Sequence, residues 1–568
     1  MRFQQRPLPA TMPSLPQMPQ LLQRIYAARG VTSMQELDHS LRHMLPFHSL
    51  KDINKATELL LTAIRERQRI LILGDFDADG ATATAVALLG LQMLGAQDVH
   101  YLVPNRFDYS YGLSMEILPQ INSFAPDLLI TVDNGISSVE AVAAATAGGR
   151  RVLITDHHLA GEQLPAADAI VNPNQPGCQF PGKALAGVGV IFYCLLALRA
   201  RMRELGLLAT PEPNLADLLD LVALGTVADV VPLDANNRRL VQQGLARIRN
   251  GRMRPGIAAL LEIAGRQPQQ LVATDLGFII GPRLNAAGRM DDMSLGIECL
   301  LADTPQQAQQ LAAQLDQLNR QRKLTEQQMQ QQAMAQLEQL QLEQLPFGLC
   351  VYKEDWHQGV SGILASRLRE RYHRPVVVFA AGADGLLKGS ARSVSGLHIR
   401  DLLASMHTLQ PDLMLNFGGH AMAAGLGLEP DNYQRFAELF DQLVREQLSR
   451  EQLNGLCLTD GELDAADFAL ETAWQLRNGG PWGQHFPEPS FHGRFNLLQQ
   501  RLVGERHLKM QLQEPTGGVV VDAIAFNVDL HQWPNPNIRQ AQVAYRLDVN
   551  EFRGQQNLQL IVEQLQAL

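Results

Sequence analysis

The 568-residue sequence is poor in cysteine. Cys178, Cys194, Cys299, Cys350 and Cys457 are odd in number, scattered, and in no CxxC pair. That argues against a disulfide framework or a thiolate zinc site, and reduced thiols in a cytoplasmic protein are the simple reading. Long hydrophobic runs are also missing: residues 187–198 form the longest, too short to span a bilayer and suited to a core helix. The N-terminus carries Arg2 and Arg6 but is broken by prolines and has no apolar stretch, so no signal peptide is expected and the chain reads as soluble. Positive charge is short as well. With 48 Lys and Arg against 58 Asp and Glu the net charge is −10, which argues against a surface coating nucleic acid nonspecifically but leaves room for a local basic channel. A hydrophobic share of 46% describes an ordinary globular protein, and at about 150 residues per domain the length predicts three or four domains.

What is there begins with residues 70–80. Four apolar residues run into Gly74, then carboxylates follow at every second position, Asp75, Asp77 and Asp79, before residues 81–89 turn helical. This reads as a buried strand, a tight turn and a helix, with acids beyond the strand's carboxyl end, where open α/β sheets bind ligands. Three such carboxylates repel one another, and Arg69 falls at the opposite end of the strand, so a hard divalent cation is the expected counter-charge. An acidic solvated loop is the alternative. Residues 127–132 close in the same way on Asp133, residues 151–155 on Asp156, His157 and His158, and residues 221–228 on Asp229. Four apolar runs ending on Asp or His, with no thiolates, suit Mg²⁺ or Mn²⁺, and a carboxylate shared by two ions would make a two-metal site for phosphoester hydrolysis.

Along the chain, residues 1–49 are Pro-, Met- and Gln-rich, then weakly helical, and read as an arm packed on the body. From residue 50 to 264 strands alternate with helical patterns, the signature of a parallel sheet. Arg106 and Phe107 with Tyr109, Ser110 and Tyr111 form a basic, aromatic loop that fits either a nucleotide or a packed surface turn. Gly187-Val188-Gly189 at a helix start fits close helix packing better than phosphate. Residues 281–289 read as a loop in which Arg283 and Arg289 hold either phosphate or structural ion pairs. Residues 301–345, with Leu311, Leu315, Leu318, Leu337 and Leu340 at helical spacing, read as one connecting helix or two in series. A second α/β domain follows, with a strand at 376–379. Ser390 and Arg392 lie two apart in an extended stretch and so share a face suited to a terminal phosphate. Gly418-Gly419-His420 offers amides and an imidazole to the same ligand, or is a Gly-rich turn before a helix. Residues 480–489 read as a Pro/Gly hinge. Beyond it, segments 491–503, 507–513, 519–528, 543–552 and 558–562 read as strands of a small OB-type barrel, a common single-strand binder.

Asp75-Phe76-Asp77-Ala78-Asp79-Gly80, Asp133-Asn134-Gly135, Asp156-His157-His158 and Ala228-Asp229 resemble the four motifs of the DHH phosphoesterase superfamily, and residues 418–425 resemble its companion, the DHH-associated domain. The resemblance runs from about residue 50 to the C-terminus. It implies an α/β fold: an N-terminal arm (1–49), a parallel-sheet DHH domain (50–300), a connecting helix (301–345), a DHH-associated domain (346–452) and an OB-like nucleic-acid-binding domain (453–568). It further implies a single-strand-specific 5′→3′ DNA exonuclease of recombination and repair, working with two Mn²⁺ or Mg²⁺ ions. Asp77, Asp79, Asp133, His157 and Asp229 would be the metal ligands, Asp133 the bridge, with Asp75 and His158 orienting ligands or water. Arg106, Arg283, Ser390, Arg392 and His420 would bind the DNA and its 5′ phosphate. Implied partners are single-stranded DNA with a 5′ end, a single-strand-binding protein and a helicase, for a monomeric enzyme. Many DHH proteins carry a His two residues before the first Asp, and this chain has Leu73 there. Two rivals are another DHH hydrolase, cutting pyrophosphate, cyclic dinucleotides or short oligonucleotides, and a non-catalytic scaffold. Residues 480–568 argue against the first and the intact acidic motifs against the second.

Overall fold

The structure is a computed structural model that describes residues 2–109, 111–338, 345–382, 384–453 and 455–568. Ser110 and Leu340, read above into the aromatic loop and the connecting helix, lie outside the described residues. The chain divides into a larger unit, residues 3–316 with 458–568, and a smaller one, chiefly residues 317–457. Among the described residues no helix is long and apolar enough to cross a membrane.

From the N-terminus the larger unit runs through helix α1 (Gln20–Ala27) into a parallel sheet of β1 (Ile70–Leu73), β2 (Val99–Leu102), β3 (Leu128–Val132), β4 (Arg151–Thr155) and β5 (Ala169–Val171). The strand order is β2-β1-β3-β4-β5. β1 and β3 are apolar at nearly every position and wholly buried, as expected of strands covered on both faces. The chain leaves β1 to form β2 on one side and returns to form β3 on the other. The β1/β3 pair is therefore the switch point of the sheet, beyond whose carboxyl end ligands bind. Leu73 pairs with Thr131, so both strands deliver their following residues to the same end.

Helix α2 (Ala78–Met93) begins three residues earlier than the sequence reading places it, because Asp77 caps it, its Oδ1 accepting from the Gly80 amide at 3.0 Å. Helices α3 (Gly187–Glu204) and α4 (Leu219–Ala228) pack against α2. The α4 segment corrects the expectation of a fourth strand. A short, wholly apolar run fits a buried strand or a buried helix equally, and burial between helices settles it here. Beyond α5 (Ala235–Arg249), residues 281–289 are likewise a helix, α6 (Gly281–Met290), not a loop. Pro282 sits in its first turn, where no amide donor is needed. Helix α7 (Pro305–Glu338) is continuous.

The smaller unit is a five-stranded sheet of β6 (Leu349–Tyr352), β7 (Val376–Ala381), β8 (Leu387–Arg392), β9 (Asn416–Gly419) and β10 (Ala423–Leu428), ordered β9-β10-β8-β7-β6, with helix α8 (Gln358–Tyr372) packed against it. Its core gathers Phe379, Phe436, Phe440, Leu403 and Met406. His420 sits in the turn between antiparallel β9 and β10, so the Gly-rich segment precedes a strand, not a helix.

After α9 (Leu470–Asn478) the larger unit closes a five-stranded barrel of β11 (Phe491–Val503), β12 (His507–Gln513), β13 (Val520–Ala525), β14 (Gln540–Phe552) and β15 (Gln555–Ala567) in the order β11-β12-β13-β15-β14. Only β13 and β15 run parallel. The last two strands are longer than the sequence reading, since their polar ends are held by the ladder rather than by a buried face. The 480–489 segment is not a free hinge. Trp482 and Phe486 are buried, Tyr26 of α1 stacks on both rings at 5.8 and 6.1 Å, and Arg238 of α5 lies 4.1 Å over Phe486. Arg29 grips Asp460 through two bonds of 2.6 and 2.9 Å, both side chains being buried. The arm thus ties the barrel's lead-in to the parallel-sheet body.

Candidate metal centre

The carboxyl ends of β1, β3 and β4 and the end of α4 converge on one acidic pocket. Three overlapping sets of side chains have ligand atoms within 4.8 Å of one another: Asp75, Asp77 and Asp133; Asp79, His157 and Asp229; Asp133, His157 and His158. All seven acid and imidazole residues singled out in the sequence meet here. Asp75, Asp79 and Asp133 are at most 3% exposed. Burial and mutual repulsion push their carboxyls well above the ordinary range, and Asp229 is pushed up to about 7 by burial and then by Asp77. Among the described residues, four buried atoms, Asp75 Oδ1, Asp133 Oδ1, His157 Nε2 and Asp229 Oδ2, find no hydrogen-bond partner. Clustered, unpartnered oxygens with one imidazole nitrogen are the donor set of a hard divalent cation, so the residues present fit Mg²⁺ or Mn²⁺.

Each ligand is held from behind. Asp79 accepts from the amides of Gly187 at 2.6 Å and Val188 at 3.0 Å, which open α3, so this helix start binds a protein carboxylate. A Cβ at Gly187 would lie 2.5 Å from Asp133 Cβ. Gly187→Ala should therefore displace Asp133 and lower kcat at least about tenfold while far-ultraviolet circular dichroism stays unchanged. Asp133 itself has φ +63°, a left-handed conformation that is costly outside glycine and clusters at functional sites. The Tyr111 hydroxyl braces it, donating to the Asp133 carbonyl at 2.9 Å.

The two imidazoles differ. Burial opposes charge on His158, but its 2.8 Å bond to Asp156 outweighs this and the ring is pushed up to about 9. Burial and then the neighbouring His158 hold His157 down to about 4, so it is neutral, with Nε2 lying 3.1 Å from Asp133 and 3.6 Å from Asp229. A neutral ring facing the acids can ligate a cation; a charged one held aside can donate.

Sequence reasoning misses Asp156, Asn134 and Asn285 as site residues. Asp156 accepts from the amides of Ile136, His157 and His158 besides the His158 ring. The buried Asn134 amide donates to the carbonyls of Leu73 and Val132, tying β1 to β3. Asn285 of α6 accepts from the Ala78 amide at 2.8 Å. The first two stand inside the quoted motifs, but Asn134 reaches Leu73, 61 residues away, and Asp156 reaches Ile136, 20 away. Leu73 is buried in the sheet's core, its carbonyl engaged by Asn134.

Arg106 joins the pocket, its guanidinium 4.2 Å over the Phe76 ring and its charge acting on Asp75 and Asp77. Among the described residues its buried Nε has no hydrogen-bond partner. Arg283 does not share this openness: it bonds Asp316 at 2.9 Å and the Ile279 carbonyl at 2.7 Å. In the smaller unit Ser390 and Arg392 share one face of β8, opposite buried Leu387, Gly389 and Ala391. A Cβ at Gly362 of α8 would stand 2.9 Å from Arg392 Nη2 and 3.8 Å from Ser390 Oγ, so glycine leaves a notch lined by both. His420 is exposed, its amide bonded to the Ala423 carbonyl.

Three family models match in chain order: the DHH family N-terminal domain over residues 69–226, the DHHA1 domain over 345–446 and the RecJ OB domain over 459–564. They fall on the parallel sheet, the second sheet and the barrel. The single-stranded-DNA-specific exonuclease RecJ of Dickeya dadantii (strain 3937) is 56% identical over 97% of this chain and 96% of its own length. That of Escherichia coli (strain K12) is 54% identical over the same shares. The crystal structure of RecJ in complex with Mn²⁺ from Thermus thermophilus matches with a TM-score of 0.79 at 30% identity, over 96% of this chain and 76% of that one. Its Mg²⁺ counterpart matches with a TM-score of 0.73 at 29% identity, over 96% of this chain and 74% of that one. The chain belongs to the RecJ family.

Proposed function

We infer that the chain is a divalent-metal-dependent exonuclease that degrades single-stranded DNA, working from the 5′ end and releasing mononucleotides in recombination and repair. The observation that carries the reading is the convergence of seven acid and imidazole side chains, four of their buried ligand atoms without a hydrogen-bond partner among the described residues, at the switch point of a parallel sheet. Asp77, Asp79, Asp133, His157 and Asp229 would hold two ions, with Asp133 as the shared ligand. When bound, Mn²⁺ or Mg²⁺ supplies hydroxide at neutral pH and neutralises charge on the leaving oxygen. The chain's own groups do the rest. Asp75 backs the ligand set. Asp156 fixes the His158 ring with its charge retained, so Nε2 offers a proton beside the Tyr111 hydroxyl, 3.5 Å away. Arg106, flattened on Phe76, presents an unpartnered donor to a phosphate oxygen.

In this proposal Ser390, Arg392 and His420 of the smaller unit bind the strand's terminal phosphate, supported by the shared β8 face and the Gly362 notch, and Arg283 of the larger unit is a further phosphate-binding residue. For Arg283 this requires the phosphate to replace or join Asp316. The division into 1–49, 50–300, 301–345, 346–452 and 453–568 assigns arm, catalysis, connection, capping and strand binding. A monomeric cytoplasmic enzyme acting with a single-strand-binding protein and a helicase completes the proposal.

The test uses end-labelled single-stranded and duplex DNA of each polarity, with and without Mn²⁺. Label released as mononucleotide from 5′-labelled single strands, and only with metal, is the expected result. Release from duplex at equal rate, faster turnover of a dinucleotide than of a long strand, or release with chelator present would overturn it. Metal should also stabilise the fold: Mn²⁺ at about 100 times its Kd is expected to raise unfolding free energy by about 2.7 kcal/mol, read by calorimetry.

A further inference from the structure

Helix α6 meets the metal centre from behind. Asn285 accepts from the Ala78 amide at 2.8 Å. Ala78 opens α2, and its amide is one of the four at a helix start that have no partner within the helix. Asp77 serves the Gly80 amide of the same turn, so Asn285 completes a cap that Asp77 alone leaves unfinished. One turn further along α6, a Cβ at Gly288 would lie 1.9 Å from the Phe76 carbonyl oxygen, so the helix backbone rests on the residue between Asp75 and Asp77. Just past the helix the Asp291 carbonyl accepts from the Asn105 side chain at 3.3 Å, beside Arg106. Ala286, Ala287 and Gly288 are buried, and packing this close passes a displacement of α6 to the acidic loop.

Arg283 stands on the other side of this helix, about 200° round it from Asn285 and about 140° from Gly288. It bonds Asp316 of α7 at 2.9 Å and the Ile279 carbonyl at 2.7 Å. Ile279 belongs to a single π-helical turn, Leu276–Ile280, in which the Gly281 amide reaches back to the Leu276 carbonyl. Such turns interrupt the α-helical register and recur at functional sites. One guanidinium thus joins α7 to the turn that sets where α6 begins. On its far side the turn abuts the end of α4: Cβ atoms at Gly277 and Gly281 would stand 3.2 Å from Val227 and Ala228, next to Asp229. The Arg283 and Asp316 side chains are 13% and 6% exposed, so a phosphate that replaces the carboxylate acts where charge is poorly screened.

We propose that Asn285 is a positioning residue for the reaction, and that through α6 it turns the capture of a terminal phosphate by Arg283 into a tighter metal centre. With Arg283 on Asp316, α6 takes one setting. With Arg283 on phosphate the helix shifts, and the Asn285–Ala78 bond and the Gly288 contact carry the shift to Asp75, Asp77 and Asp79. A ligand moves such an equilibrium only through contacts that differ between the two settings, and the exchange of Asp316 for phosphate is that difference. The inference rests on the reading of Arg283 as a phosphate-binding residue and adds how an occupied end is reported to the metal ligands.

Calorimetry of Mn²⁺ binding to the full-length protein tests this, in the presence of phosphorothioate-linked oligo-dT ended by a 5′ phosphate or a 5′ hydroxyl. In the parent the 5′ phosphate is expected to tighten Mn²⁺ at least about fivefold over the 5′ hydroxyl, and by linkage Mn²⁺ favours the phosphorylated strand by the same factor. Asn285→Ala should bring that ratio to about one, and Asn285→Asp, which keeps an acceptor for the Ala78 amide, should restore most of it. On cleavable 5′-phosphorylated strands Asn285→Ala should lower kcat at least about tenfold with KM within about twofold of the parent. An Asn285→Ala protein that keeps the parent's ratio, however much Mn²⁺ affinity it has lost, would overturn the proposal. Should that variant fail to fold, Asp316→Asn decides alone. With the competing carboxylate gone, the 5′-hydroxyl complex should bind Mn²⁺ more tightly than the parent's does, and equal or weaker binding would overturn the proposal. A parent whose Mn²⁺ affinity ignores the 5′ end while it still digests single strands overturns the relay and leaves the exonuclease reading standing. An Arg283→Gln protein with the parent's preference for the phosphorylated strand overturns the phosphate reading of Arg283 and the relay with it.

Discussion

Asp133→Asn should lower kcat by about a thousandfold or more and raise the melting temperature of the metal-free protein. The first effect follows from its place in two of the three candidate ligand sets, so that one amide would weaken both sets at once. Loss of several kcal/mol of transition-state stabilisation is the ordinary consequence of removing such a group. Asparagine is the right replacement because it tolerates the left-handed backbone at this position better than alanine does. The second effect follows from burial and from the neighbouring Asp79 and Asp77, which push the Asp133 carboxyl well above its unfolded value. A group whose folded pKa is raised favours folding when protonated, and that stability is lost as pH rises through the folded pKa. At neutral pH the unfolded carboxyl is ionised while burial and its acidic neighbours resist ionisation in the fold, a cost to the metal-free protein that the amide does not carry. Steady-state kinetics with Mn²⁺ and calorimetry in chelator check the two signs; an active variant, or one that melts lower, would contradict the reasoning.

Arg29→Met should destabilise the protein by about 3–5 kcal/mol, because it leaves Asp460 buried without its cation. Arg29 also bonds the Pro487 carbonyl and lies 5.3 Å over Trp482, so its loss loosens the barrel's lead-in specifically. The double variant with Asp460→Asn should recover part of the loss, since the uncompensated charge is then gone. Urea unfolding of the four proteins measures the coupling. An additive cycle would show that arm and barrel are not joined through this pair.

The catalytic half of the chain is unusually legible because its chemistry is local. Asp75, Asp77 and Asp79 advertise themselves by spacing, and a run of four buried apolar residues before them identifies the strand that aims them. The barrel's early strands are legible for the same reason, alternation over a few residues. What cannot be read depends on partners far along the chain. Residues 221–228 read as strand because an all-apolar segment carries no period, and only packing against α2 and α3 makes it a helix. Gly187 reads as a packing device, and only the fold brings Asp79 to its amide. Asp156 reads as one more acid, yet it joins the amide of Ile136, 20 residues away, to those of both histidines. The arm's aromatic and ionic grip on residues 460–487 joins positions more than 400 apart, beyond any pattern in residues 1–49.

The central claim, that these acids and imidazoles hold catalytic ions, is tested most directly by anomalous diffraction at the manganese edge from crystals soaked in Mn²⁺. The account predicts two peaks bridged by Asp133, with His157 and Asp229 among the ligands. Peaks elsewhere with none in contact with Asp133 and His157 would contradict it.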